Sequence, residues 1–272
     1  MRLRKASIVF LTIHALTALF SLGGTWALYN LSQVPDWDYT IVTFWLGISN
    51  IITGVLTALL LMAHHEGWKA ALTLLALCVL LAGGMELLGT TTGFPFGAYT
   101  YTDLLGAKFL GHVPYLIPPS WMMMLYPSMV LAHLLIPRGW LRPVAAGFIL
   151  TIWDFAMDPA MTTGFAYWQW HTEGGFYGMP YVNWLGWWLT GTLVAAVFWK
   201  TCREWQGRWD PLVVLLYLVQ GAFVALLAWL YMRPLATALW ACAVLLLLIA
   251  VWHKRRSALL IPRGHTQWRT SS

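Results

Sequence analysis

The stretch TIWDFAMDPAMTTGFAYWQW, residues 151–170, closes an apolar run with two carboxylates and follows them with a loop crowded with aromatic rings. Asp154 and Asp158 stand four positions apart, so both lie on one face of a helix. Pro159 is expected to stop that helix at once, because it lacks the amide proton that a further turn needs. In a water-soluble protein this would be an ordinary helix end. Here the surrounding chain has the composition of a membrane protein, and ionisable groups in membrane helices are costly enough to signal function.

That composition is unambiguous. The chain has 272 residues, of which 60% are hydrophobic and 10% charged, where soluble domains carry about 25% charged residues. Its mean hydropathy is +0.66. The apolar material falls into pieces of about 20 residues, the length that crosses a bilayer as helix. The expected fold is an all-α, polytopic membrane bundle in one unit, residues 1–272, with a catalytic core in residues 80–200. Cys78, Cys202 and Cys242 all fall in apolar stretches without CxxC spacing and read as small packing residues, not as a disulfide framework or metal site.

Read in order, the apolar segments give eight helices. A basic N-terminus (Arg2, Arg4, Lys5) leads into the first, which is too long for a signal peptide and is expected to be retained. His14 within it reads as a packing residue. The others span residues 40–63, 70–88, 118–136, 144–158, 184–202, 212–232 and 235–252, with long loops at 89–117 and 159–183. Eight crossings place both termini on one side. On that count, 14 of the 16 Lys and Arg residues lie on the side of the termini and only Lys108 and Arg233 lie opposite. The positive-inside rule then puts both termini in the cytoplasm and both aromatic loops outside. The same distribution accounts for the net charge of +6 by topology, with no need for a nucleic-acid partner. Thr91-Thr92-Gly93-Phe94 recurs as Thr162-Thr163-Gly164-Phe165, each a few residues after an intramembrane carboxylate, which suggests a parallel repeat of helix pairs.

Three carboxylates, Glu86, Asp154 and Asp158, fall near the outward ends of their helices. Two close carboxyl groups in a low-dielectric site rarely ionise together, so Asp154 and Asp158 offer an acid beside a carboxylate. The alternative is a purely structural role, pairing with Tyr, Trp or Lys108. The loops supply aromatics whose faces can stabilise a cation; most of the 19 tryptophans would serve the interfacial belt. No nucleotide-binding glycine motif, clustered histidine metal site or nucleophile elbow is present. Acid–base chemistry on a lipid-soluble substrate, without a cofactor, is what remains.

ELLGTTTGFPFGAYTYTD (86–103), PPSWMMMLYPS (118–128) and DFAMDPAM through YWQW to GFYGMPYVNWLGWW (154–188) resemble the integral-membrane carotenoid 1′,2′-hydratases. The resemblance covers residues 80–200 well and the flanking helices only in hydropathy. It implies addition of water across the terminal double bond of an acyclic ψ end group, in lycopene, γ-carotene or a similar carotenoid. Glu86, Asp154 and Asp158 fall on the family's acidic positions; the favoured assignment makes Asp158 the acid and Asp154 or Glu86 the base. Phe94, Phe96, Tyr99, Tyr101, Tyr167, Trp168, Trp170, Tyr177 and Asn183 are the candidate substrate contacts. Expected partners are the carotenoid, the bilayer of a prokaryotic cell and other membrane enzymes of the same pathway. A sequence pI near 9.3 disfavours a haloarchaeal substrate, since haloarchaeal proteins are usually acidic.

Two other readings compete. DFAMD resembles half of a DxxxD magnesium–diphosphate motif of membrane prenyltransferases, but the second acidic motif and the basic residues for diphosphate are missing. Intramembrane carboxylates also serve proton-coupled transporters, although here they cluster near one surface.

Overall fold

A computed structural model describes residues 2–137 and 139–260, without the side chains of 258–260. Arg138 and the basic tail from residue 261 lie outside the described residues, and with them part of the charge count and the C-terminus at Ser272. Eight long helices form the bundle: α1 Arg2–Asn30, α2 Tyr39–Glu66, α3 Trp68–Thr92, α4 Ile117–Leu135, α5 Leu141–Met161, α6 Val182–Thr201, α7 Pro211–Leu230 and α8 Pro234–Leu260. Six of these, all but α4 and α6, are long and apolar enough to cross a membrane. The exception at α4 has a packing reason. It packs against α2, α3, α5, α6, α7 and α8, and the whole run from Trp121 to Ala132 is buried. A helix shielded from lipid can carry Ser128, Tyr126 and an internal Pro127 without facing hydrocarbon.

Several helix ends differ from the sequence reading: α8 runs on to Leu260, past the expected 252, and α3 and α5 also overrun. Pro159 does not stop α5; the helix runs on to Met161. Only one turn comes after the proline, so one backbone bond is forfeited, and hydroxyls repair the end. Thr162 returns both its amide (3.0 Å) and its Oγ1 (2.8 Å) to the Asp158 carbonyl, and Thr163 Oγ1 bonds Pro159 O at 2.8 Å. The end of α3 is built alike: Thr90, Thr91 and Thr92 hydroxyls fold back onto the carbonyls of Glu86, Leu87 and Leu88. The repeated Thr-Thr-Gly gives both ends hydroxyls on carbonyls four residues back, an approximate symmetry with different registers: Gly93 (φ 82°) caps α3 directly, whereas α5 is capped by Thr162 and Gly164 (φ 66°) stands two residues further on. The packing shares this symmetry, since α3 touches α6 as α5 touches α4.

The chain segments beyond these caps join. Strand β1 (Tyr99–Tyr101) pairs antiparallel with β4 (Trp168–Trp170), with Tyr99 opposite Trp170 and Tyr101 opposite Trp168. A small hairpin of β2 (Lys108–Phe109) and β3 (Val113–Pro114) sits in the first loop. Both long loops therefore lie at one end of the bundle, the loop face. At the opposite, basic face Asp210 gathers three elements: it caps α7 through Leu212 N (2.8 Å) and accepts from Arg4 Nε and His65 Nε2 (3.1 Å each). Lys108 takes no part in the carboxylate cluster and instead pairs with Asp103 at 2.8 Å. Of the cysteines only Cys78 is a core residue; Cys202 is half-buried and Cys242 is exposed on α8.

Helices α5 and α6 share an extensive interface. A Cβ at Gly147 would stand 2.4 Å from Thr192 Oγ1 and 2.6 Å from the Trp188 carbonyl oxygen, so the glycine permits the backbone contact typical of membrane helix pairs. Gly147→Ala should therefore lower the stability of the detergent-solubilised protein by about 1–3 kcal/mol through overpacking, read as a drop in Tm. Gly23→Ala, at a position with nothing within 4 Å, should leave Tm unchanged or slightly raised.

Candidate active site

Burial places the three carboxyl groups out of water: Glu86 is 3% exposed, Asp154 0% and Asp158 1%. A buried carboxyl needs donors, and the two loops, α4 and α6 provide them. Glu86 is the most fully served. Tyr99 Oη donates a short bond to Glu86 Oε2, Tyr101 Oη donates to the same oxygen at 2.8 Å, and Trp121 Nε1 donates to Oε1 at 3.0 Å. A π turn at Cys78–Ala82 precedes Glu86 in α3; such a turn adds a residue and so rotates the rest of the helix, Glu86 included, about its axis.

Asp154 and Asp158 form the second centre. Their i, i+4 spacing sets them one turn apart on one face of α5, and both reach the same side chain. The Asn183 amide bridges them, donating to Asp154 Oδ2 at 2.9 Å and to Asp158 Oδ2 in a shorter bond. Trp168 Nε1 donates to Asp158 Oδ1 at 2.8 Å. Asp154 Oδ1 has no partner among the described residues. Asn183 is held by the first turn of α6, where its own amide bonds Pro180 O at 2.9 Å.

A cavity of about 190 Å³ joins the two centres. Glu86 and Asp158 both line it, whereas Asp154 stands behind Asp158 and does not reach the wall. Of the candidate substrate contacts, Phe96, Tyr99, Tyr101, Tyr167, Trp168, Trp170 and Asn183 line this cavity. Phe94 and Tyr177 do not. Phe94 is 61% exposed at the loop face, and Tyr177 lies under Arg233, its hydroxyl accepting from Leu235 N.

Three further tryptophans belong to the site. Trp121 and Trp187 stack at 4.2 Å with 14° between planes, and Trp153 meets Trp187 edge-on at 5.6 Å. All three line the cavity. Sequence reasoning passed them over because a tryptophan in a membrane helix looks like interfacial belt. The signal was their placement beside polar motif residues: Trp153 precedes Asp154, and Trp187 stands one turn beyond Asn183. Phe96 is wedged among them; Gly186 makes room for it, since a Cβ there would stand 2.4 Å from Phe96 Cδ1.

A polytopic helical bundle whose apolar core holds buried carboxyl groups beside an aromatic-walled cavity is an integral membrane protein. The chain belongs to the carotenoid biosynthesis protein family, whose model matches residues 46–250. It is also similar to the bisanhydrobacterioruberin hydratase of Haloarcula japonica, with 33% identity over 135 residues. That match covers 48% of this chain and 45% of the relative, so it spans less than half of either protein. No solved structure matches the chain.

The Asn183 bridge generates a test. Asn183→Leu strands the Asp154–Asp158 pair without its amide donor, at a cost of about 1–3 kcal/mol, visible as a lower Tm. A second change, Asp154→Leu, should return part of that loss. If the two losses simply add, Asn183 is not bridging the pair.

Proposed function

We propose that the chain is a carotenoid hydratase that adds water across the terminal 1′,2′ double bond of an acyclic ψ end group. The observation that carries this reading is that Glu86 and Asp158 face one aromatic-walled cavity. The Asp154–Asp158 pair shares a proton, and Asp158, the member at the wall, delivers it to carbon 2 of the end group. The π electrons form the new carbon–hydrogen bond and leave a tertiary cation at carbon 1. The faces of Trp121, Trp153 and Trp187 stabilise that cation. Water attacks carbon 1, its surplus proton passes to a carboxylate, and a proton returns from there to the aspartate pair by way of water before the next turnover, so each carboxyl group ends as it began. The sum is one water added, with no electron gained or lost.

The donor set favours Glu86 as that acceptor and counter-charge. Three groups donate to it, and a carboxylate only accepts. General acid–base catalysis of this kind contributes about 10²–10⁴ in rate. The reading requires no metal or redox cofactor. It treats the chain as one catalytic unit centred on residues 80–200, in a prokaryotic cell membrane with both termini cytoplasmic. The similarity to a bisanhydrobacterioruberin hydratase supports an acyclic carotenoid as the substrate class.

Expression in a lycopene-producing bacterium should yield pigments heavier by one water and not by one oxygen atom. β-Carotene, whose two rings leave no terminal isopropylidene group, should remain unchanged. Glu86→Gln, Asp154→Asn and Asp158→Asn should each lose about 10²–10⁴ in rate while inserting normally, with Asp36→Asn and Glu204→Gln near wild type. Retention of more than about a tenth of the rate in all three amide variants would remove the acid–base role. Reporter fusions at Gly106 and Gly174 should both read external and a fusion at Ser272 internal.

A further inference from the structure

A hydratase of polyenes must unite two reactants that share no solvent. The cavity reaches lipid on one side: its wall continues along Gly24 and Leu28 of α1 and Leu46 of α2, and Phe20 and Trp37 at its margin are more than half exposed. That side is mostly apolar, with Ser21, Thr25 and Thr43 among its few polar members.

A second pocket, of about 330 Å³, opens on the loop face and is lined by Thr162, Gln169, His171, Thr172 and Glu173. Its lining, which also includes Trp168, Trp170 and Tyr177, is the more polar of the two. Trp168 and Trp170 line both spaces, so strand β4 is the partition between them. Trp168 spends its indole N–H on Asp158. Trp170 Nε1, at the same partition, is buried with no partner among the described residues. Seven indole nitrogens are in that state among the described residues, and Trp170 is the one of them whose ring lines both spaces, where water can accept from it. Thr162, at the pocket's edge, bonds the Asp158 backbone carbonyl at 2.8 Å, which sets the pocket within one residue of the acid.

We infer that this polar pocket is the water inlet of the site: water passes the strand Trp168–Trp170 from the loop face, held by the indole N–H of Trp170, while the polyene arrives from lipid beside α1 and α2. The inference rests on the hydratase reading for its purpose but on the two pockets and the partnerless indole for its geometry. Trp170 is thereby a positioning residue for water, distinct from the carboxyl groups that move protons.

The test uses the full chain in lipid nanodiscs, with Cys202→Ala and Cys242→Ala removing the accessible native thiols. Thr172→Cys places a thiol at the pocket mouth, and Tyr115→Cys places one on the same face outside it. Radiolytic hydroxyl-radical labelling, which marks side chains in contact with water, should modify Trp170 in the untreated protein. A bulky charged thiol reagent on Thr172→Cys should lower both that labelling and carotenoid hydration by about tenfold or more, since a lost bridging water has no substitute there. Reductant should restore both, and the reagent on Tyr115→Cys should change neither. Glu173→Cys serves if Thr172→Cys fails to fold. Unchanged Trp170 labelling after the block overturns the inlet, as does hydration that continues at the untreated rate. If the untreated protein hydrates no carotenoid, the hydratase reading falls and the labelling arm alone decides the inlet.

Discussion

A carboxyl group inside an apolar bundle must be given donors, and much of the loop-face structure comes from meeting that demand three times. The donors come from sequence-distant places. Tyr99 and Tyr101 reach Glu86 from the first long loop, Trp168 reaches Asp158 from the second, and Asn183 reaches both aspartates from α6. Pairing β1 with β4 fixes the two loops against each other. It thereby brings the tyrosines of one centre beside the tryptophans of the other, as Tyr99–Trp170 (5.2 Å) and Tyr101–Trp168 (5.9 Å) show. The two carboxylate centres are thus parts of one network, with aromatic rings packed between them.

The rings do two kinds of physical work at once. As donors, Trp121 and Trp168 satisfy carboxyl oxygens; as faces, they and Trp153 and Trp187 wall a cavity that excludes bulk solvent. Low dielectric strengthens every charge interaction inside such a wall. Glycine provides the room: without Gly186 beside it, Phe96 would have no place between α6 and Trp121.

The membrane class, the helical segments and the presence of three acids within them were legible in the sequence because each is a local property: hydropathy, spacing, and charge in an apolar context. The aspartate pair could be placed on one face from i, i+4 alone. What resisted was anything set by tertiary contact. Asp154 and Asp158 look equivalent in the chain, yet only Asp158 reaches the cavity, because the wall is drawn by α6 and β4. Phe94 and Phe96 look alike in GFPFG, yet one faces outward and the other is buried. Pro159 reads as a stop, but the threonine hydroxyls behind it allow one more turn. His14 reads as a packing residue and is indeed fully buried, with Nδ1 on the Asn50 carbonyl at 3.1 Å; its partner lies in the next helix.

The Arg4–Asp210 contact joins residues 206 positions apart, and α1 packs directly on α7. Both helices wall the cavity, through Gly24 and Leu28 on one and Gln220 and Phe223 on the other. During synthesis α1 therefore enters the membrane long before the helix that completes its inner surface exists. The cavity lacks this part of its wall until α7 emerges, so no nascent chain shorter than that holds it complete. Assembly order, set by the path of the backbone, separates making the acids from enclosing them.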